Sequence, residues 1–347
     1  MRLSFLPFVA FLCSSALSLW SVEGKDPFIS RKHVIIDTEF VYVKRAPKIH
    51  NRDPLSQLED TSQVTGIAEN IADTLECPHT TFAANNILSE QKYAPGLRVT
   101  ISYLTSRKST WEWRYLGLLH WSGSSLASCP GSLEFPFQTG VNNTVDYQDA
   151  DSIKGSCDTR YWSGEWNYWY HITPRRVDQF SVSWLVGVKY IYLSELFNLV
   201  ARSVGSSSRY KIETKNRIAG PQVGGDLEIN LGQNFTCGVR GKAGLMVNFA
   251  QNKTRFRDDN NTRTIKSCNP SDFNGTFLGE IAPFFLFNLS SKVLFKASYE
   301  LSYLSSVALA MNQITFNEDD TTNLTNQVTV GGSLMFYGAY IGLGFIF

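Results

Sequence analysis

The chain has 347 residues, of which 43% are hydrophobic and 13% aromatic, and 32 basic residues nearly balance 31 acidic ones, for a formal net charge of +1. No block of basic residues occurs, which argues against a nucleic-acid partner. No CxxC or HExxH pattern and no Cys/His cluster is present, so we expect no metal site and no other cofactor.

The first 24 residues have the pattern of a secretory signal peptide. Arg2 gives a short basic start, and the apolar run from Leu3 to Leu17 that follows is too short to span a membrane. No later segment offers the roughly 18 consecutive apolar residues of a transmembrane helix. We therefore predict a signal peptide over residues 1–24 and one exported domain over residues 25–347.

After this segment, apolar and polar residues alternate with a period of two in one segment after another. This period places successive side chains on opposite faces of a β-strand. The clearest pair of segments is joined by Gly232-Gln233-Asn234, which predicts a β-hairpin. The alternation predicts ten strands, at 33–45, 96–104, 110–121, 160–172, 177–193, 215–231, 235–250, 277–288, 292–310 and 333–347.

The connections between these strands alternate between short and long. An even strand number, with short turns at one end and long loops at the other, is typical of bacterial outer-membrane barrels. We therefore predict an all-β fold, a transmembrane antiparallel up-and-down β-barrel with short periplasmic turns and long extracellular loops, the longest at about 46–95. The lipid bilayer of the outer membrane is its predicted partner, and the pattern leaves its oligomeric state open.

The last strand carries a pattern of its own. Its alternating apolar residues end on a terminal aromatic residue, as in outer-membrane barrels, whose assembly machinery reads this ending. We therefore predict an interaction with the barrel-assembly machinery. The predicted assembly signal consists of Tyr337, Ile341, Leu343, Phe345 and Phe347.

Several short segments resemble the β-barrel porin family found mainly in planctomycetes, with relatives in chlamydia-like bacteria. The resemblance covers most of the chain from about residue 93 onward and implies a barrel more firmly than it implies transport. The residues that carry it are Gly96-Leu97-Arg98, Arg114-Tyr115-Leu116-Gly117-Leu118, Gly187-Val188-Lys189-Tyr190 with Leu193-Ser194-Glu195, Thr214-Lys215-Asn216-Arg217 with Gly220-Pro221-Gln222-Val223-Gly224, and Gly338-Ala339-Tyr340-Ile341-Gly342-Leu343.

Charged residues recur on the face of the strands that we expect to line the lumen. The hairpin register places Asp226 opposite Arg240, with Glu228 and Lys242 diagonal to them. These charges could tune the selectivity of a channel, or they could pair and brace a filled interior. The other lumen-facing charges predicted are Glu280, Lys296 and Glu300, together with Glu112, Arg114, Glu165 and Lys189.

Barrel size leaves two functions open. Eight strands leave an interior just filled by side chains, whereas sixteen or more leave an aqueous pore. Ten strands are compatible with a porin-like narrow or gated channel for small solutes. This channel is the function that we predict, and the alternative is a largely closed barrel that acts through its outer loops, as a structural surface protein or adhesin.

An enzymatic function has little support in the residues. His120 lies near the outer end of its strand, where Asp151 or Asp158 from the next loop could partner it, and His171 lies at the periplasmic end. No nucleophile motif such as GxSxG occurs. We therefore predict that the protein is not an enzyme.

Four cysteines fall in the predicted long loops: Cys77, Cys129, Cys157 and Cys268. An exported chain can form disulfides, and Cys129–Cys157, within one loop, is the pairing we favour. Seven Asn-x-Ser/Thr sequons keep open a rival interpretation, a secreted eukaryotic β-rich glycoprotein. A protein that is soluble and monomeric without detergent would contradict the barrel prediction.

Overall fold

The structure is a computed structural model, and it describes residues 33–48, 54–58, 82–106, 108–134, 150–173, 180–231, 234–258, 263–314 and 328–347. The predicted signal peptide lies outside these ranges. The described strands are β1 His33–Lys48, β2 Pro54–Leu58, β3 Phe82–Ala83, β4 Ala94–Ser106, β5 Ser109–Glu134, β6 Ala150–His171, β7 Phe180–Ser203, β8 Ser206–Leu231, β9 Phe235–Asp258, β10 Arg263–Cys268, β11 Ser271–Asn288, β12 Val293–Val307 and β13 Gly332–Ile346.

Ten of these strands form a closed antiparallel barrel. In chain order, β1, β4 to β9 and β11 to β13 each pair with the next. The barrel closes at β1, where Ile36 lies opposite Phe345 of β13 on one side and opposite Ile101 of β4 on the other. The ten-stranded antiparallel barrel predicted from the alternation is therefore confirmed.

The strands on one side of the barrel are longer than the alternation predicts. β5 continues to Glu134 and β6 begins at Ala150, and β7 and β8 meet in a tight turn at Val204-Gly205. Gly205 has φ of +79°, a conformation that glycine adopts without strain. The predicted loop at 194–214 is therefore mostly strand. On β7 the outward residues Leu196 and Val200 adjoin the buried Phe197 and Leu199, so apolar residues lie on both faces and the alternation is lost there.

The short elements lie at the outer end. β2 pairs with β3 and with β5, and the helix α1 (Ala84–Ser89) packs on β5 and β6. A 3-10 helix spans Ala310–Gln313. Within the described part of the chain, neither helix is long and apolar enough to cross a membrane.

The outward face of the barrel divides into an apolar belt and a polar zone above it. On β8, Leu231, Leu227 and Val223 are exposed large apolar side chains, and from Arg217 upward the outward residues are mostly charged. On β5 the change falls just after Leu118, next to an irregularity in the β5–β6 register. The belt includes the ends of the strands near the short turns.

Aromatic side chains gather at both edges of the belt. Near the short turns, the ring of Trp111 lies 5.7 Å from that of Trp166 and 4.9 Å from that of Tyr168. At the opposite edge, Trp162 lies 5.2 Å from Tyr190 and 5.9 Å from Tyr192. Two such girdles are typical of barrels that span a membrane.

The interior is layered. Charged and polar side chains fill the half near the short turns, and an apolar cluster that includes Trp121, Ile191 and Phe336 lies above them. A second apolar cluster fills the outer extension of β5 to β9 and includes Ile87 of α1 and Met311 of the 3-10 helix. The core of this barrel therefore occupies the space where an open barrel has water.

Candidate functional site

The eleven charged residues that the sequence placed in the lumen all lie on the inner face of the barrel. Asp226 lies opposite Arg240 in the β8–β9 register, and the Arg240 Nη2 atom is 3.3 Å from Asp226 Oδ2. The guanidinium of Arg240 also lies over the Trp169 ring, 4.7 Å from its centroid. The buried members of the set are Glu112, Arg114, Glu165, Lys189, Asp226, Glu228, Lys242, Glu280, Lys296 and Glu300.

Four of the lumen charges form one cluster that crosses the barrel, and we call it the four-charge cluster: Glu165, Lys189, Lys242 and Glu280. Lys189 Nζ lies 2.8 Å from Glu165 Oε1 and also donates to Glu280. Lys242 Nζ lies 2.8 Å from both carboxylates. Two ammonium groups thus alternate with two carboxylates, which joins β6 to β11 through side chains.

A second cluster lies on the other side of the lumen. Arg98 holds Glu39 with two hydrogen bonds, of 2.6 and 2.7 Å, and reaches Glu300 at 2.7 Å. This fork geometry is the strongest way to pair a guanidinium with a carboxylate. The same guanidinium stacks over the Tyr340 ring at 4.1 Å. Lys296 Nζ lies 3.8 Å from Glu39 and so extends the cluster.

A third ionic contact across the lumen lies nearer the outer end of the barrel. Arg45 of β1 pairs with Glu195 of β7, and both side chains are 1% exposed. Glu195 also accepts a hydrogen bond of 2.8 Å from the backbone N–H of Ala310. Because β1 and β7 lie on opposite walls, this pair and its backbone partner occupy the middle of the barrel.

The segment after β12 folds into the barrel mouth and is held there by an asparagine. The Asn216 side chain donates to the Ala308 carbonyl oxygen and accepts from the Ala308 N–H, each at 2.8 Å. Asn248 supports the Asn216 side chain with a further hydrogen bond of 2.9 Å. We call residues 308–313 the inward segment. The alternation had extended the strand as far as residue 310.

The sequence pattern predicted some of the lumen charges and missed others. The lumen charges predicted from the alternation include Glu165 and Lys189 but not Glu39 and Arg98, although Arg98 also lies between apolar neighbours. A count of charges at every inward position of the predicted strands would have found them. The Arg45–Glu195 pair could not be found in this way, because Glu195 falls in a predicted loop.

The histidines fall at two separate places. The Nε2 atom of His120 lies 3.4 Å from Asp158 Oδ1 on the outer surface, whereas Asp151 accepts a hydrogen bond from the Gly131 N–H at 2.9 Å. His171 faces the lumen at the opposite end. A groove of about 620 Å³ surrounds the His120–Asp158 pair, lined also by Glu90, Lys92, Tyr93, Trp121, Ser122, Gly123, Ser124, Lys154 and Ser156.

The two histidines differ in their surroundings. The His171 ring contacts the hydroxyl oxygens of Thr110 at 2.9 Å and Ser183 at 2.7 Å, so both of its nitrogens have buried partners. The described residues around His120 include serines but show no hydrogen-bonded nucleophile–base pair. Within the same part of the chain, no group of three or more His, Cys, Asp or Glu residues is arranged to hold a metal ion.

The expected Cys129–Cys157 disulfide is wrong. Cys157 is a free, buried thiol, and the register sets it opposite Gly123, whereas Ser128 pairs with Ser152. Five residues along a strand separate these two levels by about 17 Å, far beyond the ~7 Å limit between the Cα atoms of a disulfide. Cys157 is buried in the outer apolar cluster and packs there, and this burial raises the pKa of its thiol to about 12.

The other cysteines divide between the wall and the outer loops. Cys237 is a free thiol at an outward position of the apolar belt. Cys77 and the side chain of Cys268 lie outside the described residues. A loop disulfide between Cys129 and one of these two stays a prediction. Non-reducing peptide mapping tests it.

The predicted assembly signal lies on the outer wall. Tyr337, Ile341, Leu343 and Phe345 are at outward positions of β13, and Phe347 follows the strand with an exposed ring. The backbone N–H of Phe347 donates to the Val34 carbonyl oxygen at 2.9 Å. The end of the chain is therefore tied to the start of β1.

No family model matches the chain, and no curated protein sequence matches it. The resemblance to the planctomycete and chlamydia-like porins therefore has no support beyond its short motifs.

Among solved structures, the chain is similar to the outer membrane protease OmpT from Escherichia coli, at 10% identity over 94% of this chain and 99% of that chain, with a TM-score of 0.43. It is also similar to the translocator domain of the autotransporter NalP from Neisseria meningitidis, at 10% identity over 98% and 97% of the two chains, with a TM-score of 0.38. A third similar structure is the attachment invasion locus protein Ail of Yersinia pestis, at 9% identity over 90% and 99%, with a TM-score of 0.26.

Proposed function

We propose that the protein is an outer-membrane β-barrel with a filled lumen, which acts at the cell surface through the outer extension of its strands as a structural surface protein or adhesin. The observation that carries this proposal is the set of buried ion pairs that cross the lumen, Lys189–Glu280, Arg98–Glu300 and Arg45–Glu195. Side chains that meet in the middle of a barrel occupy the path of a solute. The filled interior speaks against a porin-like channel.

The membrane placement rests on the outward face. Monomeric soluble proteins rarely expose apolar patches larger than a few hundred Å², whereas this barrel carries a continuous belt of exposed apolar side chains bounded by two aromatic girdles. Buried charges line the inner face at the same level. A lipid environment explains both faces at once. The predicted signal peptide and C-terminal assembly signal belong to the same proposal.

The surface role rests on the outer extension. Strands β5 to β9 continue past the belt and enclose an apolar cluster with α1, so this region is a packed domain rather than a set of loose loops. The turn between β7 and β8 projects from it, and Val204 there is 94% exposed. A rigid, exposed platform of this kind suits contact with other molecules.

Planar-bilayer recording tests the filled lumen. The protein is refolded in detergent, heat-modifiable gel mobility verifies that the barrel is closed, and an open sixteen-stranded barrel is inserted in parallel as a positive control. We expect no discrete conductance steps across a range of voltages. Reproducible steps from the folded protein would show that the lumen conducts and that the proposal is wrong.

Cysteine labelling of intact cells tests the orientation. Val204→Cys places a thiol at the projecting turn, and Ser290→Cys places one at an exposed short turn of the opposite end. A membrane-impermeant maleimide is expected to label the first variant on intact cells and the second only after lysis. The unsubstituted chain gives the background. Labelling of Ser290→Cys alone would reverse the orientation and remove the surface role.

A further inference from the structure

The outer wall of β8 and β9 is strongly basic directly above the apolar belt. Nine outward positions lie there, and seven of them are Lys or Arg. Among the described side chains of this wall, Glu213 is the acidic one, and its carboxylate lies 2.7 Å from Lys215 Nζ. We call this wall the basic face: Arg209, Lys211, Lys215 and Arg217 of β8, with Lys253, Arg255 and Arg257 of β9.

The strand register forces like charges together on this face. Arg209 lies directly opposite Arg257, and Lys211 lies directly opposite Arg255. Side chains paired in this way have Cβ atoms about 5 Å apart, and like charges at that distance destabilise the sheet. The strands cannot turn over to relieve the repulsion, because the alternate residues, such as Phe256, are buried in the outer core. An anion between the paired cations would remove this cost.

The basic face is continuous with the lipid-facing surface. The guanidinium of Arg217 lies 5.9 Å from the centre of the Phe249 ring, and Ala219 and Val247 continue the wall below as part of the belt. At about 3.3 Å per residue and a tilt near 40°, the strand rises roughly 20 Å from Arg217 to Arg209. The cations therefore start at the membrane interface and extend outward by the length of a short oligosaccharide.

We propose that the basic face binds the phosphorylated saccharide head group of an outer-leaflet glycolipid whose acyl chains lie against the belt below. The proposal rests on the membrane placement proposed above. Phosphate oxygens accept hydrogen bonds from Lys and Arg at several cations at once. A ligand anchored in the membrane meets the lower cations at the interface, and its saccharide reaches the like-charged pairs above.

Titration calorimetry in neutral detergent tests this binding. The folded barrel is titrated with micelles that contain a diphosphorylated, acylated disaccharide, or the same lipid after removal of its phosphates. Each Lys or Arg near an anionic surface contributes about a fivefold change in affinity, equivalent to ~1 kcal/mol. We expect Lys211→Gln/Arg255→Gln to bind the phosphorylated lipid roughly twentyfold more weakly, and we expect 1 M salt to weaken the unsubstituted protein as well.

The control variant is Lys108→Gln/Lys292→Gln, which removes the same charge from exposed turns at the opposite end. We expect it to bind like the unsubstituted protein. The melting temperature without lipid separates binding from a structural role. Because Lys211→Gln/Arg255→Gln relieves repulsion, it should melt no lower than the unsubstituted protein, although its stabilisation by the lipid is lost.

Other outcomes overturn the proposal in distinguishable ways. Equal binding of the dephosphorylated lipid, or no binding of either lipid by a heat-modifiable barrel, would remove the phosphate assignment and leave the proposed function intact. Equally tight binding of inorganic phosphate or of a soluble sulfated polysaccharide would show a soluble anion to be the ligand in place of a lipid. A chain that is soluble and monomeric without detergent would instead overturn the proposed function itself.

Discussion

Replacing Glu165 by glutamine removes one negative charge from the four-charge cluster while keeping the shape of the side chain. Lys189 and Lys242 each lie 2.8 Å from this carboxylate, and all the members of the cluster are buried. In Glu165→Gln, two buried ammonium groups share the single carboxylate of Glu280. Removing one partner of a buried ion pair typically costs about 3–5 kcal/mol, because a buried charge loses its compensation.

A matched control uses a pair of the same chemistry in solvent. Glu213→Gln breaks the partly exposed Lys215–Glu213 pair, for which we expect a loss of about 0–1 kcal/mol. The double variant Glu165→Gln/Lys242→Met removes one charge of each sign and leaves Lys189 paired with Glu280. We expect it to recover part of the lost stability, with a coupling energy of about 0.5–3 kcal/mol.

Urea unfolding in detergent micelles measures these differences. Tryptophan fluorescence and heat-modifiable gel mobility report the same transition by independent signals, which tests two-state behaviour. In a water-filled lumen both carboxylates would be solvated, and the two single variants would unfold at nearly the same urea concentration. A difference below about 0.5 kcal/mol between Glu165→Gln and Glu213→Gln would refute the filled lumen.

Three further predictions follow from the wall, the inward segment and the free thiol. Ile281→Arg, in the middle of the belt, should lower the free energy of unfolding in lipid vesicles by about 2–4 kcal/mol. The control is Leu126→Arg above the belt, where the side chain is 55% exposed, against 49% for Ile281. We expect it to leave the free energy of unfolding almost unchanged, and equal losses in the two variants would contradict the membrane placement. Asn216→Ala deprives the buried N–H and C=O of Ala308 of their partners, and hydrogen exchange of that amide should accelerate; an unchanged exchange rate would show that the inward segment is held by packing alone. The Cys157 thiol, whose pKa burial raises to about 12, should resist alkylation at pH 8 until the barrel is unfolded, and rapid labelling of the folded protein would show that the outer core opens.

The lumen charges show how far a sequence pattern reaches. Asp226 and Arg240 stand on one hairpin, so the turn between their strands determines their register and the sequence predicts their pairing. Lys189 and Glu280 are 91 residues apart. Whether they meet depends on barrel diameter and strand tilt, which no local segment contains. The expected Cys129–Cys157 pair failed for the same reason, because only the β5–β6 register sets the distance between its two levels.

The amino-acid sequence by itself determined the number of strands and the face of the wall on which each side chain lies. The reason is that a strand with lipid on one face and the barrel interior on the other alternates apolar and polar residues with a period of two. The tertiary structure decided what the inner face encloses. Charges that could equally well have lined a water-filled channel are brought within hydrogen-bond distance across the lumen, and the inward segment and α1 complete an apolar core above them. Both results depend on contacts between segments far apart in the chain, because closure of the barrel alone sets the width of the space that those side chains must fill.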